Sequence, residues 1–194
     1  MSKQTARLIV GISGASGTVY GVRLLEMLRE AEIETHLVMS KSAEMTLAYE
    51  TDLKPKDVRA LASVHYSVAD IGAAISSGLF PTIGMVIAPC SIRTMSEIAC
   101  GVTSSLLSRA ADVVLKEKRR LVLAVRETPL HGGHLRTMTT LADIGAVIAP
   151  IVPAFYNRPQ SVDDIVNHTC GRLLDLFGID TGTVKRWKGR PAEE

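Results

Sequence analysis

Apolar residues along this chain come in two rhythms that alternate from one end to the other. Nearly unbroken apolar runs at Arg7–Ile12, Gly84–Pro89 and Leu121–Val125 read as strands covered on both faces, as in a parallel sheet. Glu34–Met39 and the short Ala146–Ala149 read as two more. Between them the apolar positions recur every three or four residues. That spacing predicts helices over Thr18–Leu28, Ser40–Tyr49, Pro55–Ala62, Thr94–Cys100, Ser104–Lys116 and Leu135–Asp143, and from Ser161 to about Phe177. Ser40 and Ser161 stand where N-caps belong, Pro55 opens its helix, and Asp163 and Asp164 fall in a first turn where acids complement the helix dipole. Residues 63–84 read as irregular, with a turn-rich stretch at Ser76–Pro81. No repeat, low-complexity tract or linker interrupts the alternation. It predicts one doubly wound α/β domain over residues 1–194, with the tail 179–194 packing on a neighbouring subunit.

The first strand hands over to its helix through Ser13-Gly14-Ala15-Ser16-Gly17. Glycines let backbone approach a phosphate, free N–H groups at a helix N-terminus point toward it, and hydroxyls add neutral donors. The spacing Gly11-x-x-Gly14-x-x-Gly17 is neither the dinucleotide G-x-G-x-x-G nor a P-loop, and a tight strand-to-helix turn also accounts for small residues here. In doubly wound sheets, ligands lie beyond the carboxyl ends of the strands. There the sequence places Ser16, Ser40, Ser91, Thr94 and Arg126. Each hydroxyl alone reads equally well as a helix cap. Together, at successive strand ends, they point to a mostly neutral pocket for a ligand with one phosphate and a polar ring.

Composition narrows this. With 194 residues and 46% hydrophobic content the chain can bury a full core, and a net charge of +2 with scattered Lys and Arg gives no basic patch for nucleic acid. Cys90, Cys100 and Cys170 form no paired motif, which fits a reducing compartment, and neither a signal pattern nor a stretch of transmembrane length is present. A cytoplasmic location is therefore expected, with no membrane span. A mean hydropathy of +0.20 predicts apolar surface covered by sister subunits. His131 and His134 are separated by glycines and lack carboxylate or cysteine neighbours, so no metal site is expected. Cys90, Met27, Met39, Met45 and Met85 read as core.

Seven stretches then resemble one family in order along nearly the whole chain. They are Gly11–Gly17, Val38–Lys41, Glu50–Asp52, Gly84–Ser91, Arg109–Glu117, Leu121–Leu130 and Pro153–Pro159. The chain resembles the flavin prenyltransferases of UbiX type, formerly described as aromatic-acid decarboxylases. The resemblance implies a Rossmann- or flavodoxin-like fold, a homo-oligomer, commonly a dodecamer, and FMN as the cofactor. It also implies metal-independent transfer of a dimethylallyl group from dimethylallyl monophosphate to N5 and C6 of reduced FMN, the product passing to a UbiD-type decarboxylase. By motif position, Gly14, Ala15, Ser16, Ser40, Ser91, Ile92, Arg93, Thr94 and Arg126 would bind FMN. Arg109, Lys116, Tyr156 and Arg172 would bind the prenyl phosphate. Glu50, Glu127, Ser16 and Lys116 would carry the catalysis.

Those residue types suit the chemistry. Arginines, a lysine and a tyrosine stabilise a leaving phosphate, and a carboxyl after a buried strand, as at Glu127, can hold a raised pKa and shuttle a proton. Lys116 within Lys116–Arg120 also reads as a solvated helix end, Arg172 as a surface ion-pair partner, and Tyr156 as an anchor for its proline-bounded loop. Trp187 reads as covering a neighbouring site or packing the tail down. One departure stands out: Ser77-Gly78-Leu79-Phe80 carries leucine where the family shows a second serine. Two alternatives remain at this point. A cysteine-type oxidative decarboxylase is disfavoured because its Pro-x-Met-Asn-x-x-Met stretch is missing, and a non-catalytic flavin carrier would not need Lys116, Glu127, Tyr156 and Arg172 together.

Overall fold

The apolar runs become the interior of a six-stranded parallel sheet in the computed structural model, which describes residues 6–184 and 186. The strands are β1 (Arg7–Ile12), β2 (Glu34–Met39), β3 (Val64–Tyr66), β4 (Gly84–Cys90), β5 (Arg120–Val125) and β6 (Val147–Ile148), in the order β3-β2-β1-β4-β5-β6. The helices are α1 (Thr18–Glu30), α2 (Lys41–Glu50), α3 (Pro55–Arg59), α4 (Ile92–Ala99), α5 (Leu106–Lys116), α6 (Gly132–Asp143) and α7 (Val162–Asp175). This is the doubly wound Rossmann order, in which the strands are laid down outward from β1 on one side and then outward from β4 on the other.

Strand alternation sends successive side chains to opposite faces, and each face has its own core. Leu8, Val10 and Ile12 join Val86, Leu24, Leu28 and Leu174 beneath α1 and α7. Ile9, Met85, Ile87, Leu121 and Leu123 join Met95, Leu107 and Leu141 beneath α4, α5 and α6. Cys90 and Cys170 are buried in these cores, and burial pushes both thiols up to about 12, which leaves them unreactive. Met27, Met39 and Met85 are core as expected, but Met45 is 60% exposed on the outer side of α2.

Other departures have local causes. The irregular stretch hides β3, which pairs with β2 from His36 opposite Val64. Three residues with an exposed start give no readable period, and the strand is held by side chains instead. Ser63 and Thr35 exchange hydrogen bonds between hydroxyl and backbone N–H (3.0 and 2.9 Å), and His36 Nδ1 lies 3.0 Å from Tyr66 Oη. Helix α6 begins three residues before Leu135, because His131 Nδ1 accepts from the N–H groups of Gly133 and His134 and caps a turn that two glycines disguise. The final helix matches its cap: Ser161 Oγ accepts from Asp164 N, and the Asp164 carboxylate accepts from Ser161 N in return. Trp187 and the end of the tail lie outside the described residues. Within the tail, Arg186 pairs with Asp175 and Asp180 of the same chain.

Candidate active site

The switch point between β1 and β4 is stitched by one buried serine. Ser13 N and Oγ both donate to Pro89 O (3.2 and 2.9 Å), while Ser91 N donates to Ser13 Oγ at 2.7 Å. This locks the glycine loop against the end of β4. Gly14 is needed for the same closeness, since a Cβ there would stand 2.4 Å from Ser42. Gly17 adopts φ 100°, a left-handed turn that lets α1 start at Thr18.

Beside this seam lies a cavity of about 480 Å³, lined by the hydroxyl residues Ser40, Ser42, Ser91, Thr94, Ser104 and Ser105, by the charged Lys41, Arg93 and Glu97, and by Val68 and Leu107. Helices α2 and α4 begin in it. Ser40 Oγ accepts from Ala43 N at 3.0 Å, and Ser91 Oγ accepts from Thr94 N at 3.2 Å while donating to Thr94 Oγ1 at 3.1 Å. These serines thus cap their helices and line the cavity at once. Hydroxyls backed by two helix N-termini suit a phosphate ester and a polar ring, and the volume suits a mononucleotide. Ser42, Ser104 and Ser105 escaped the sequence reading. Their signal was serine doubled around the caps, at Ser40-Lys41-Ser42 and Ser104-Ser105.

The glycine loop itself holds a protein carboxylate. Glu50, at the end of α2, accepts from Gly17 N (2.9 and 3.0 Å), Thr18 N (2.9 Å) and Thr18 Oγ1 (2.9 Å). Burial pushes its carboxyl up, but the bonds from the Ser16 hydroxyl, the two amides and the Thr18 hydroxyl outweigh this and hold it below its ordinary value. The expectation of a phosphate cradle is therefore corrected at Gly17 and Thr18, whose donors are engaged by Glu50. Ser16 is left beside a carboxylate whose ionised form the surrounding donors favour.

Arg126 and Glu127 follow β5 onto the rim. Arg126 N donates to Cys90 O at 3.1 Å, and Glu127 Oε1 accepts from its neighbour Thr128 N at 2.9 Å. Both side chains are exposed, as are residues 126–130 throughout. The buried carboxyl expected at Glu127 is thus not present in the single chain, because β5 ends at Val125 and the following turn crosses the open rim. Arg93 is also exposed and pairs with Glu97 at 2.9 Å, while Ile92 packs partly against the core.

The four expected phosphate binders do not converge. Tyr156 and Arg172 line a cavity of about 600 Å³ between the 149–156 segment and α7, with His168 and Arg186. Tyr156 Oη lies 3.0 Å from His168 Nε2, whose pKa is lowered by burial and by the charge of Arg172, and Arg172 pairs with Asp175 at 2.8 Å. Arg109 and Lys116 lie seven residues apart on the outer face of α5. Arg109 pairs with Asp112 at 3.1 Å, and Lys116 Nζ with Glu117 at 2.6 Å. Lys116 ends its helix four residues before β5 begins at Arg120, so it stands at the amino edge of the sheet, opposite the serine pocket. There it meets the Ser77–Phe80 loop: a Cβ on Gly78 would lie 3.0 Å from Lys116 Nζ, and Arg119 donates to the carbonyls of Gly78 and Phe80.

A Rossmann-ordered sheet with a hydroxyl-walled pocket at its switch point, fed by two helix N-termini, defines a mononucleotide-binding flavoprotein of the α/β class. Accordingly, the Flavoprotein family model matches residues 1–174. Flavin prenyltransferase UbiX of Escherichia coli K12 is 62% identical over 186 residues, covering 94% of this chain and 98% of that protein. Among solved structures, AnUbiX (PadA1) in complex with FMN and dimethylallyl pyrophosphate superposes with a TM-score of 0.95 at 48% identity, over 97% of this chain and all of that one. A dodecameric FMN-dependent UbiX-like decarboxylase from Escherichia coli O157:H7 follows at 0.92 and 50%, over 94% of this chain and all of the other. The chain belongs to the UbiX family of flavin prenyltransferases. Among its described residues, no helix is long and apolar enough to cross a membrane.

Proposed function

We propose that this enzyme transfers a dimethylallyl group from dimethylallyl monophosphate to reduced FMN. The observation that carries the proposal is the serine-lined pocket at the switch point, with the glycine loop of β1 held next to it by Ser13 and by the ionised Glu50. Reduced FMN, when bound, supplies N5 and C6 as the positions that gain bonds. Ser40, Ser91 and Thr94, at the starts of α2 and α4, hold its phosphate and polar edge, joined by Gly14, Ala15, Ile92, Arg93 and Arg126. Ser16, hydrogen-bonded to Glu50, orients and exchanges a proton at the N5 edge. Glu127 takes up the proton released from C6.

Arg109, Lys116, Tyr156 and Arg172 hold the prenyl phosphate and stabilise the charge that grows on it as the allyl group leaves, a role that needs no divalent metal in this proposal. Because Lys116 stands at the far edge from the pocket, its partner pocket belongs to another copy of the chain. Exposed Leu79, Tyr49, Val152 and Phe155 supply apolar surface for such an assembly, and a relative at 50% identity is dodecameric. A homo-oligomer of that kind, working in the cytoplasm and passing prenylated FMN to a UbiD-type decarboxylase, completes the proposal.

Purified protein given dithionite-reduced FMN and dimethylallyl monophosphate without added metal should yield a flavin heavier by one C5H8 unit. An unmodified flavin from protein with FMN demonstrably bound overturns the proposal.

A further inference from the structure

Asp175, the last residue of α7, holds two guanidinium groups at once, and its side chain is only 13% exposed. Arg172 Nη1 donates to its Oδ2 at 2.8 Å. Arg186 donates from Nη2 to Oδ1 at 2.9 Å and from Nη1 to that same Oδ2 at 3.2 Å. Both arginines line the cavity of about 600 Å³ beside α7, and Arg186 has no role so far. The three groups carry one net positive charge. Asp180, which accepts from Arg186 Nη2 at 3.2 Å, is mostly exposed, where water and salt screen it.

Two like charges stay together only with an opposite charge between them, so Asp175 sets where both guanidiniums stand as well as offsetting one of them. It engages a single nitrogen of Arg172, so the Nε–Nη2 edge of that fork is not spent on it. Arg186 puts three of its five N–H donors into Asp175 and Asp180. Such forks match a pair of phosphate oxygens, and a carboxylate behind them fixes their orientation before the anion arrives. Fastening the tail would be possible from any face of α7. Arg186 instead lands on the face that Arg172 presents to the cavity.

We infer that Arg186 joins Arg172 as a second guanidinium on the prenyl phosphate, and that Asp175 is the positioning residue that holds the pair. The inference rests on the assignment of Arg172 to the donor phosphate. The test is calorimetric binding of dimethylallyl monophosphate to protein loaded with oxidised FMN, which is not the reduced acceptor. Arg186→Gln should raise Kd about tenfold or more, the range of one hydrogen bond between charged groups. Asp175→Asn should raise it about three- to tenfold, although it removes a negative charge near the anion. In the Arg186→Gln background Asp175→Asn should add less than about twofold, because one guanidinium has no partner to repel.

Retained FMN affinity shows that the variants are folded. If Arg186→Gln loses it, Arg186→Lys, which keeps the charge on Asp175 but not the fork, takes its place with about a threefold rise expected. An unchanged Kd in the Arg186 variant makes that residue a fastening for the tail and overturns the inference. Tighter binding in Asp175→Asn does so too, since the carboxylate then only repels the donor, and so does an equal rise in both backgrounds, which marks a general loosening of the fold. Each of these leaves the proposed function standing. A parent protein that makes no heavier flavin from reduced FMN overturns the proposed function itself, and Arg172→Gln with unchanged Kd removes Arg172 and this inference together.

Discussion

Ser40, Ser91 and Thr94 meet within one chain because parallel strands all end on the same rim and each following helix starts there. Arg109, Lys116, Tyr156 and Arg172 have no such common origin. Two sit on the outer face of α5, one of them at the amino edge of the sheet, and two sit in the cavity beside α7. The half proposed to hold the cofactor is thus a product of topology, fixed as soon as the strands are ordered. The half proposed to hold the prenyl donor is a set of separate side chains that, in this proposal, acquires its geometry only when surfaces are brought together. Any residue that crosses between the halves should show the largest effects.

Glu127 is the sharpest case, exposed in the single chain yet assigned a proton transfer. Glu127→Gln is expected to keep FMN bound, since its side chain is not on the serine wall, while product formation falls by about 10² to 10⁴, the span of one general acid–base group. Flavin absorbance after desalting and mass analysis of the flavin separate the two. Turnover at the parent rate removes Glu127 from the mechanism.

Lys116 tests the division between surfaces. Lys116→Ala should be nearly inactive through loss of donor binding, with no loss of FMN affinity, because the two lie on opposite edges of the sheet. Co-assembling it with Glu127→Gln should restore activity, since some sites then combine an intact Glu127 from one copy with an intact Lys116 from another. No recovery in verified mixed oligomers would place Lys116 and Glu127 of a single chain in the same site.

Much of this was legible in the sequence, for reasons particular to each part. The sheet was readable because buried parallel strands leave unbroken apolar runs, and the serines lining the cavity because their helix caps fall at the same strand ends. Strand β3 was not, since three half-exposed residues held by Thr35–Ser63 and His36–Tyr66 bonds carry no period. Glu50 was named but not its position: a carboxylate reaching from the end of α2 to the start of α1 depends on where two helices land, which no local pattern records. His168 had no signal at all, being one histidine among helix residues until Tyr156 folds over it.

Glu50 gives a pH prediction whose sign follows from its lowered pKa. A carboxyl held below its unfolded value of 4.5 contributes stability above that value, and the contribution is lost as pH falls through the folded pKa. Glu50→Gln should therefore cost stability at neutral pH, about 1 kcal/mol once solvent screening of this exposed group is counted, and the two denaturation curves should converge as the pH falls below 4.5. Parallel curves across that range would mean that the α1 cap does not depend on the charge.

Leu79 marks the smallest expected effect and the finest test of the donor half. Its side chain is 93% exposed, beside the loop that meets Lys116, and its backbone N–H is turned inward to Ser77 Oγ at 3.3 Å. Nothing in the chain's own packing needs leucine there, so Leu79→Ser should leave the melting transition essentially unchanged, as surface changes within about 0.5 kcal/mol do. The gained hydroxyl would stand next to Lys116, proposed to hold the prenyl phosphate, and should lower KM for dimethylallyl monophosphate by about two- to fivefold, the worth of one neutral hydrogen bond. If KM rises instead, the leucine is packing against the neighbouring copy or the prenyl chain, and this edge contributes apolar contact rather than phosphate binding. If it does not move, the loop acts through its backbone, and Lys116 alone carries the donor phosphate at that edge.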